Sequence, residues 1–164
     1  MRLVRLIAVI IAVPGMLFAQ GAQVPFGGLQ HDSSLPVEIV ADQLTVDQSD
    51  GAVMFVGNVV IGQGDMRMTA DEMTVSYSAG DDGDTGRIER IVAKGNVVLV
   101  NGAEAAQAQS AEYSIDDGVV VLVGDVIMTQ GQNALSSARM VINLTDGTAR
   151  MEGRVRTILQ SGSN

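Results

Sequence analysis

Beyond its first 35 residues the chain alternates apolar and polar positions with a period of two. Leu44-Thr45-Val46, Met73-Thr74-Val75 and Tyr113-Ser114-Ile115 each put two large apolar side chains on one side of an extended segment, and Met140-Val141-Ile142 continues the series. Such alternation in sequence rich in β-branched residues predicts half-buried strands, and nothing beyond the N-terminal region shows helical spacing. Asp50-Gly51, Asp117-Gly118 and Asp146-Gly147 follow such segments. Asp-Gly supplies the positive φ of tight hairpin turns, so neighbouring strands are expected to be antiparallel.

The pattern recurs along the chain. Gly57-Asn58-Val59-Val60-Ile61 returns as Gly95-Asn96-Val97-Val98-Leu99, as Gly124-Asp125-Val126-Ile127-Met128 and, more weakly, as Gly153-Arg154-Val155-Arg156-Thr157. The four glycines lie 38, 29 and 29 residues apart, and a nine-residue insert over 78–86 accounts for the longer interval. Each glycine interrupts an otherwise continuous strand pattern, which marks a bulge or sharp bend. Four bends in phase fold every long strand at one level. The expectation is an all-β, elongated antiparallel sheet of four strand-turn-strand repeats, creased along a line, with an apolar inner face.

Alternation assigns that inner face. It holds Val37, Ile39, Leu44, Val46, Val53 and Phe55 before the first repeat glycine, then Val59 and Ile61 after it. Ile91, Ala93, Val97 and Leu99 flank the second glycine, Val120, Leu122, Val126 and Met128 the third, and Ala149 and Met151 precede the fourth. Tyr113 joins them from an adjacent strand.

The ends read differently. Arg2 and Arg5 precede an apolar run over 6–18, and small residues follow at Ala19, Gly21 and Ala22, the layout of a secretory signal peptide. The run has 13 residues, short of the roughly 20 that cross a bilayer as a helix. The organisation expected is a cleaved signal peptide over 1–22, a flexible leader over 23–35, a β domain over 36–159 and a polar tail over 160–164. An exported, cysteine-free protein of this kind fits a bacterial periplasm, where the mature chain is expected.

Composition narrows the chemistry. The 164 residues are 46% hydrophobic with 19 glycines and no cysteine, which excludes disulfides, thiolate metal sites and cysteine nucleophiles. The net charge is −9, and without Arg2 and Arg5 it is 8 positive against 19 negative charges, so a nucleic-acid partner is not expected. The single histidine, His31, lies in the leader, where no Ser-His-Asp geometry is held in register. Beyond the signal segment the aromatics are Phe26, Phe55, Tyr77 and Tyr113, too few for sugar platforms. Asp81-Asp82-Gly83-Asp84 lacks the calcium-loop spacing and reads as a solvated hairpin tip. No enzyme, no metal and no cofactor is expected. Arg150, Arg154 and Arg156, with only Glu152 among them, make one basic end on an acidic body.

At this point Pro36-Val37-Glu38-Ile39-Val40-Ala41-Asp42-Gln43-Leu44, Phe55-Val56-Gly57-Asn58-Val59 and Gly64-Asp65-Met66-Arg67-Met68-Thr69-Ala70-Asp71, in that order and phase, resemble the periplasmic lipopolysaccharide-transport protein A family, also called the organic solvent tolerance A-like domain. The resemblance spans about 36–159. It implies a β-jellyroll creased into a V-shaped slit that holds lipid A acyl chains. It further implies head-to-tail self-association through edge strands, an inner-membrane-anchored component of related fold at one end, and the periplasmic domain of an outer-membrane translocon at the other. Carried over by position, the lipid-facing places are Val37, Ile39, Tyr113 and Ile115, with Ile91 beside the insert. The rest of the inner stripe, Leu44, Val46, Phe55, Val59, Ile61, Val97, Leu99, Leu122 and Val126, completes the candidate slit. The alternative is a periplasmic β-repeat scaffold whose inner stripe is a sealed core.

Overall fold

The computed structural model describes residues 22–25, 32–47, 49, 51–79 and 85–159. Within these, the strands are β1 (Ala22–Pro25), β2 (Glu38–Val40), β3 (Gln43–Val46), β4 (Val53–Gln63), β5 (Met66–Ala79), β6 (Thr85–Asn101), β7 (Glu104–Ser114), β8 (Val119–Gln130), β9 (Asn133–Asn143), β10 (Thr148–Glu152) and β11 (Arg156–Ile158). They form one antiparallel sheet in the order β1-β10-β9-β8-β7-β6-β5-β4-β2, with β3 also on β4 and β11 also on β9.

The crease is a line of bulges. On β4, Val56 faces Glu72 and Val59 faces Ala70, so Gly57 and Asn58 together oppose Asp71. Gly95 and Asn96 oppose Gln109 in the same way, and Gly124 and Asp125 oppose Ala138. All six bulge residues have positive φ, between 45° and 88°. Asn and Asp tolerate this left-handed region better than other residues with a side chain. The glycine is required for a second reason: a Cβ on Gly57 would stand 2.6 Å from Asp42 Oδ2. That carboxylate is held there by Asn58, whose Nδ2 donates to it at 2.8 Å. Asn96 Nδ2 bonds Asp71 Oδ2 at 2.8 Å, and Gln109 Nε2 bonds Asp125 Oδ2 at 2.7 Å. Each of these three creases is thus latched to a side chain of the preceding paired segment: Asp42 between β2 and β3, Asp71 on β5 and Gln109 on β7.

The fourth crease differs. Gly153 keeps a positive φ of 75°, but the latch position is Ala138, and the strand breaks between β10 and β11 instead of bulging. An alanine has no polar atom to hold the bend, so the weakest copy of the sequence repeat is also the one without a side-chain latch.

Bulges divide the sheet into two walls. The first comprises β3, β10 and the halves of β4 to β9 nearer residues 53, 75, 91, 113, 120 and 142; the second comprises β2, β11 and the other halves. Met73, Val75, Ile91, Leu122, Met140 and Ile142 are buried on the first wall, and Val59, Ile61, Met68, Leu99 and Met128 on the second. They belong to one continuous apolar cluster.

Turn chemistry departs from the expectation. The Asp-Gly pairs at 117–118 and 146–147 close four-residue turns, since Ser114 pairs with Val119 and Asn143 with Thr148. The two-residue turns lie at the ends of the second wall, at Gly64-Asp65, Gly102-Ala103 and Gly131-Gln132, where the glycines have φ of 56°, 60° and 58°. Glycine first in a two-residue turn is the pattern that matches the right-handed strand twist.

The insert over 78–86 lengthens the β5–β6 hairpin, with Ala79 paired to Thr85. Its acidic tip, like His31, lies outside the described residues. Across the boundary expected between signal peptide and leader, β1 pairs with β10 from Ala22↔Met151 to Pro25↔Thr148. A free strand edge offers unpaired N–H and C=O groups, and a short extended segment satisfies them.

Candidate functional site

The inner face is built from rows of cross-strand partners. One row runs Leu44, Phe55, Met73, Ala93, Ala111, Leu122, Met140 and Met151, entirely apolar across eight strands. At the usual strand spacing it extends roughly 34 Å. A second row runs Val46, Val53, Val75, Ile91, Tyr113, Val120, Ile142 and Ala149. On the opposite wall Ile39, Ile61, Met68, Leu99, Ala106, Met128 and Leu135 form a third.

The sequence-derived residues fall into three groups on this face. Val59, Ile61, Ile91, Val97, Leu99, Tyr113, Leu122 and Val126 are fully buried in the central cluster. Val37, Ile39, Phe55 and Ile115 are half-buried and pack against it. Leu44 and Val46 share the face by register but are 57% and 55% exposed, because β3 is an edge strand with no further strand paired to it among the described residues. The expected slit is therefore packed along most of its length, and its inner face emerges at the β3 end through Leu44 and Val46.

One polar link crosses this interior. Tyr113, 1% exposed on the first wall, donates from its hydroxyl to Gln63 Oε1 on the second wall at 2.9 Å. Gln63 in turn donates from Nε2 to the carbonyls of Ser33 and Leu35, both at 2.9 Å. Burial disfavours the phenolate and pushes the Tyr113 hydroxyl up to about 12.

Sequence reasoning missed the residues around Gln63. At the rim of the second wall the inner row reads Gln63, Met66, Asn101, Glu104, Gln130 and Asn133. It is nearly all polar, yet Gln63, Asn101 and Glu104 are buried. Gln130 Nε2 donates to Glu104 Oε1 at 2.7 Å, while the buried Glu104 Oε2 has no hydrogen-bond partner among the described residues. The signal was present: Gly64, Gly102 and Gly131 each follow a repeat glycine by seven residues, so the rim residues flank turns that recur in phase.

At the basic end, Glu152 pairs with Arg139 at 2.6 Å. Arg154 and Arg156 are exposed and, with Asp125, Ser136, Ser137 and Ala138, line a surface cleft of about 360 Å³ at the fourth crease. The opposite edge carries Glu38, Asp42 and Asp47, all exposed. Among the described residues no helix is long and apolar enough to cross a membrane.

A single antiparallel sheet, folded along in-phase bulges around an apolar interior with both edges partly uncovered, defines an open β-jellyroll. Residues 38–148 match the family model of the LptA/(LptD N-terminal domain) LPS transport protein, and the chain belongs to that family. An uncharacterized protein of Rhizobium meliloti strain 1021 is 30% identical over 152 residues, covering 88% of this chain and 82% of the relative. The lipopolysaccharide export system protein LptA of Escherichia coli K12 is 32% identical over 62 residues, 38% of this chain and 34% of that protein. The crystal structure of LptH from Pseudomonas aeruginosa, described as the LptA-homologous periplasmic component of the lipopolysaccharide transport device, superposes with a TM-score of 0.69 at 17% identity. It covers 80% of this chain and 99% of that one, so the fold is shared almost throughout.

Proposed function

We propose that this protein is a periplasmic carrier of lipopolysaccharide that shelters lipid A acyl chains on its inner face and links inner- and outer-membrane transport components. The observation that carries the reading is the unbroken apolar row from Leu44 to Met151, which reaches solvent at the β3 edge. Each methylene taken from water contributes on the order of 0.8 kcal/mol, so a lipid with several chains does not cross an aqueous gap unaided. A continuous apolar track removes that barrier without catalytic chemistry. Loading parts the two walls, and the flexible thioethers of Met68, Met73, Met128 and Met140 conform to chains of varied length.

Edges supply the links. All of β3 and β11 is exposed, and strand addition at such edges registers one copy against the next. Exposed Arg154 and Arg156 at one edge complement exposed Glu38, Asp42 and Asp47 at the other, which favours head-to-tail order. The same edges are suited to the jellyroll of an anchored inner-membrane component and to the periplasmic domain of an outer-membrane translocon.

The burial of the central stripe also suits a scaffold that carries no lipid, and one experiment separates the two. Photo-crosslinking side chains are placed at Val37, Ile91 and Tyr113, with outward-facing Val60 as control, and the exported protein is incubated with lipopolysaccharide. Adducts at the three inner positions and not at Val60 are expected; folded protein with no adduct at any position establishes the scaffold.

A further inference from the structure

We infer that the rim of the second wall is a headgroup site, in which Glu104 accepts hydrogen bonds from the hydroxyl and amide N–H groups of an acylated sugar. The inference rests on the carrier reading and adds to it the part of the ligand that is not acyl chain.

Inside the crease the rows are apolar, and the change to polar side chains falls at one level, the last inward-facing position before the two-residue turns. An amphiphile whose chains point into the crease, running along the strands and across the apolar rows, brings its ester and amide linkages, and the first sugar ring, to that level. Asn101, Gln130 and Asn133 supply carboxamides that both donate and accept, while the Glu104 carboxylate supplies acceptor oxygens.

Glu104 carries the argument. It is 8% exposed; its Oε1 takes the Gln130 bond, and its Oε2 is buried with no hydrogen-bond partner among the described residues. A buried carboxylate oxygen left without a donor is costly, and native structures seldom retain one without a use. The donor-rich face of a sugar removes that penalty on binding. A phosphate, which presents only acceptors and negative charge, is repelled from the same place, so the site orients the headgroup with its phosphates away from Glu104.

The test uses the exported protein and its E104L and E104Q variants, with a photo-crosslinker at Ile91, and two probes: lipopolysaccharide, and a fatty-acid methyl ester that has an acyl chain and no hydrogen-bond donor. Loss of one charge-assisted bond is expected to weaken lipopolysaccharide binding by E104L roughly tenfold or more. E104Q, which keeps an acceptor without the charge, is expected to fall between. Ester binding and the Ile91 adduct with the ester are expected to be unchanged, and the melting temperature of E104L equal or higher, because an unpaired buried carboxylate has gone. Equal affinity of wild type and E104L for lipopolysaccharide overturns the headgroup site and leaves the carrier reading intact. Parallel loss of both probes in E104L also overturns it, by showing damage to the apolar walls. No adduct at Ile91 in the unmutated chain with either probe removes the carrier reading and this inference together.

Discussion

The Tyr113 hydroxyl and Gln63 Oε1 meet at 2.9 Å in the interior, joining β7 to β4 across the crease although two strands lie between them in the sheet. Neighbouring strands are held by their backbone ladders; this bond ties wall to wall. Gln63 extends the tie to the carbonyls of Ser33 and Leu35, so one buried amide couples both walls and the turn that precedes β2.

Replacing Tyr113 with Phe keeps the ring and removes the donor, leaving Gln63 Oε1 without that bond. Urea unfolding is expected to show a loss of about 0.5–1.5 kcal/mol, the net contribution of one hydrogen bond. If the bond restrains the parting of the walls, the same variant takes up lipopolysaccharide faster than wild type in a stopped-flow assay.

Alkaline titration gives an independent reading of the same pair. The Tyr113 hydroxyl is raised to about 12 in the folded chain from an ordinary 10.0. Below pH 10 it is protonated in both states and its contribution is fully present; between 10 and 12 the unfolded chain ionises first, so stability falls as pH rises. Tyr113→Phe is expected to remove this component of the pH dependence in denaturation curves taken from pH 9 to 12.

The crease glycines are separable from turn glycines. Gly51 has φ of 70° with open space around it, so Gly51→Ala bears only the left-handed penalty of roughly 1–2 kcal/mol. Gly57→Ala adds the clash with Asp42 Oδ2 at 2.6 Å and is expected to be the more destabilising. Combining Gly57→Ala with Asp42→Ala is expected to recover part of the difference, giving a non-additive double-mutant cycle by thermal melting.

Two leucines on the same face should behave oppositely. Leu122 is fully buried and Leu122→Ala is expected to lose about 2–5 kcal/mol through cavity formation. Leu44, 57% exposed, is expected to change stability by roughly 0.5 kcal/mol or less when truncated. Chemical denaturation of both variants distinguishes sealed track from open mouth.

Reversing the charge of the basic edge tests the proposed order of assembly. Arg154→Glu with Arg156→Glu is expected to abolish concentration-dependent association in sedimentation velocity, and the wild-type association is expected to weaken as salt screens the exposed charges. Unchanged association by the double variant removes the arginines from the contact.

Much of the architecture is legible along the chain because β-structure writes itself with a period of two, and because a positive φ inside a strand admits very few residues. Gly57-Asn58, Gly95-Asn96 and Gly124-Asp125 therefore announce the creases, and parity on either side of them sorts Val59, Ile91, Leu99 and Leu122 onto the inner face. The latch side chains Asp42, Asp71 and Gln109 were readable on the same grounds, since each precedes its glycine by fifteen residues once the insert is removed from the second interval.

Other features depend on the fold as a whole. Alternation tells which side of a strand a residue occupies but not what stands opposite it, so Leu44 and Leu122 look alike in sequence and differ completely in burial. Gln63 and Tyr113 lie 50 residues apart, and no local pattern pairs them. Only folding the sheet along its bulges brings the rim of one wall over the other. That closure turns ordinary turn-flanking residues, Gln63, Asn101 and Glu104, into a buried polar row, because exposure is set by the opposing wall rather than by the strand that carries the side chain.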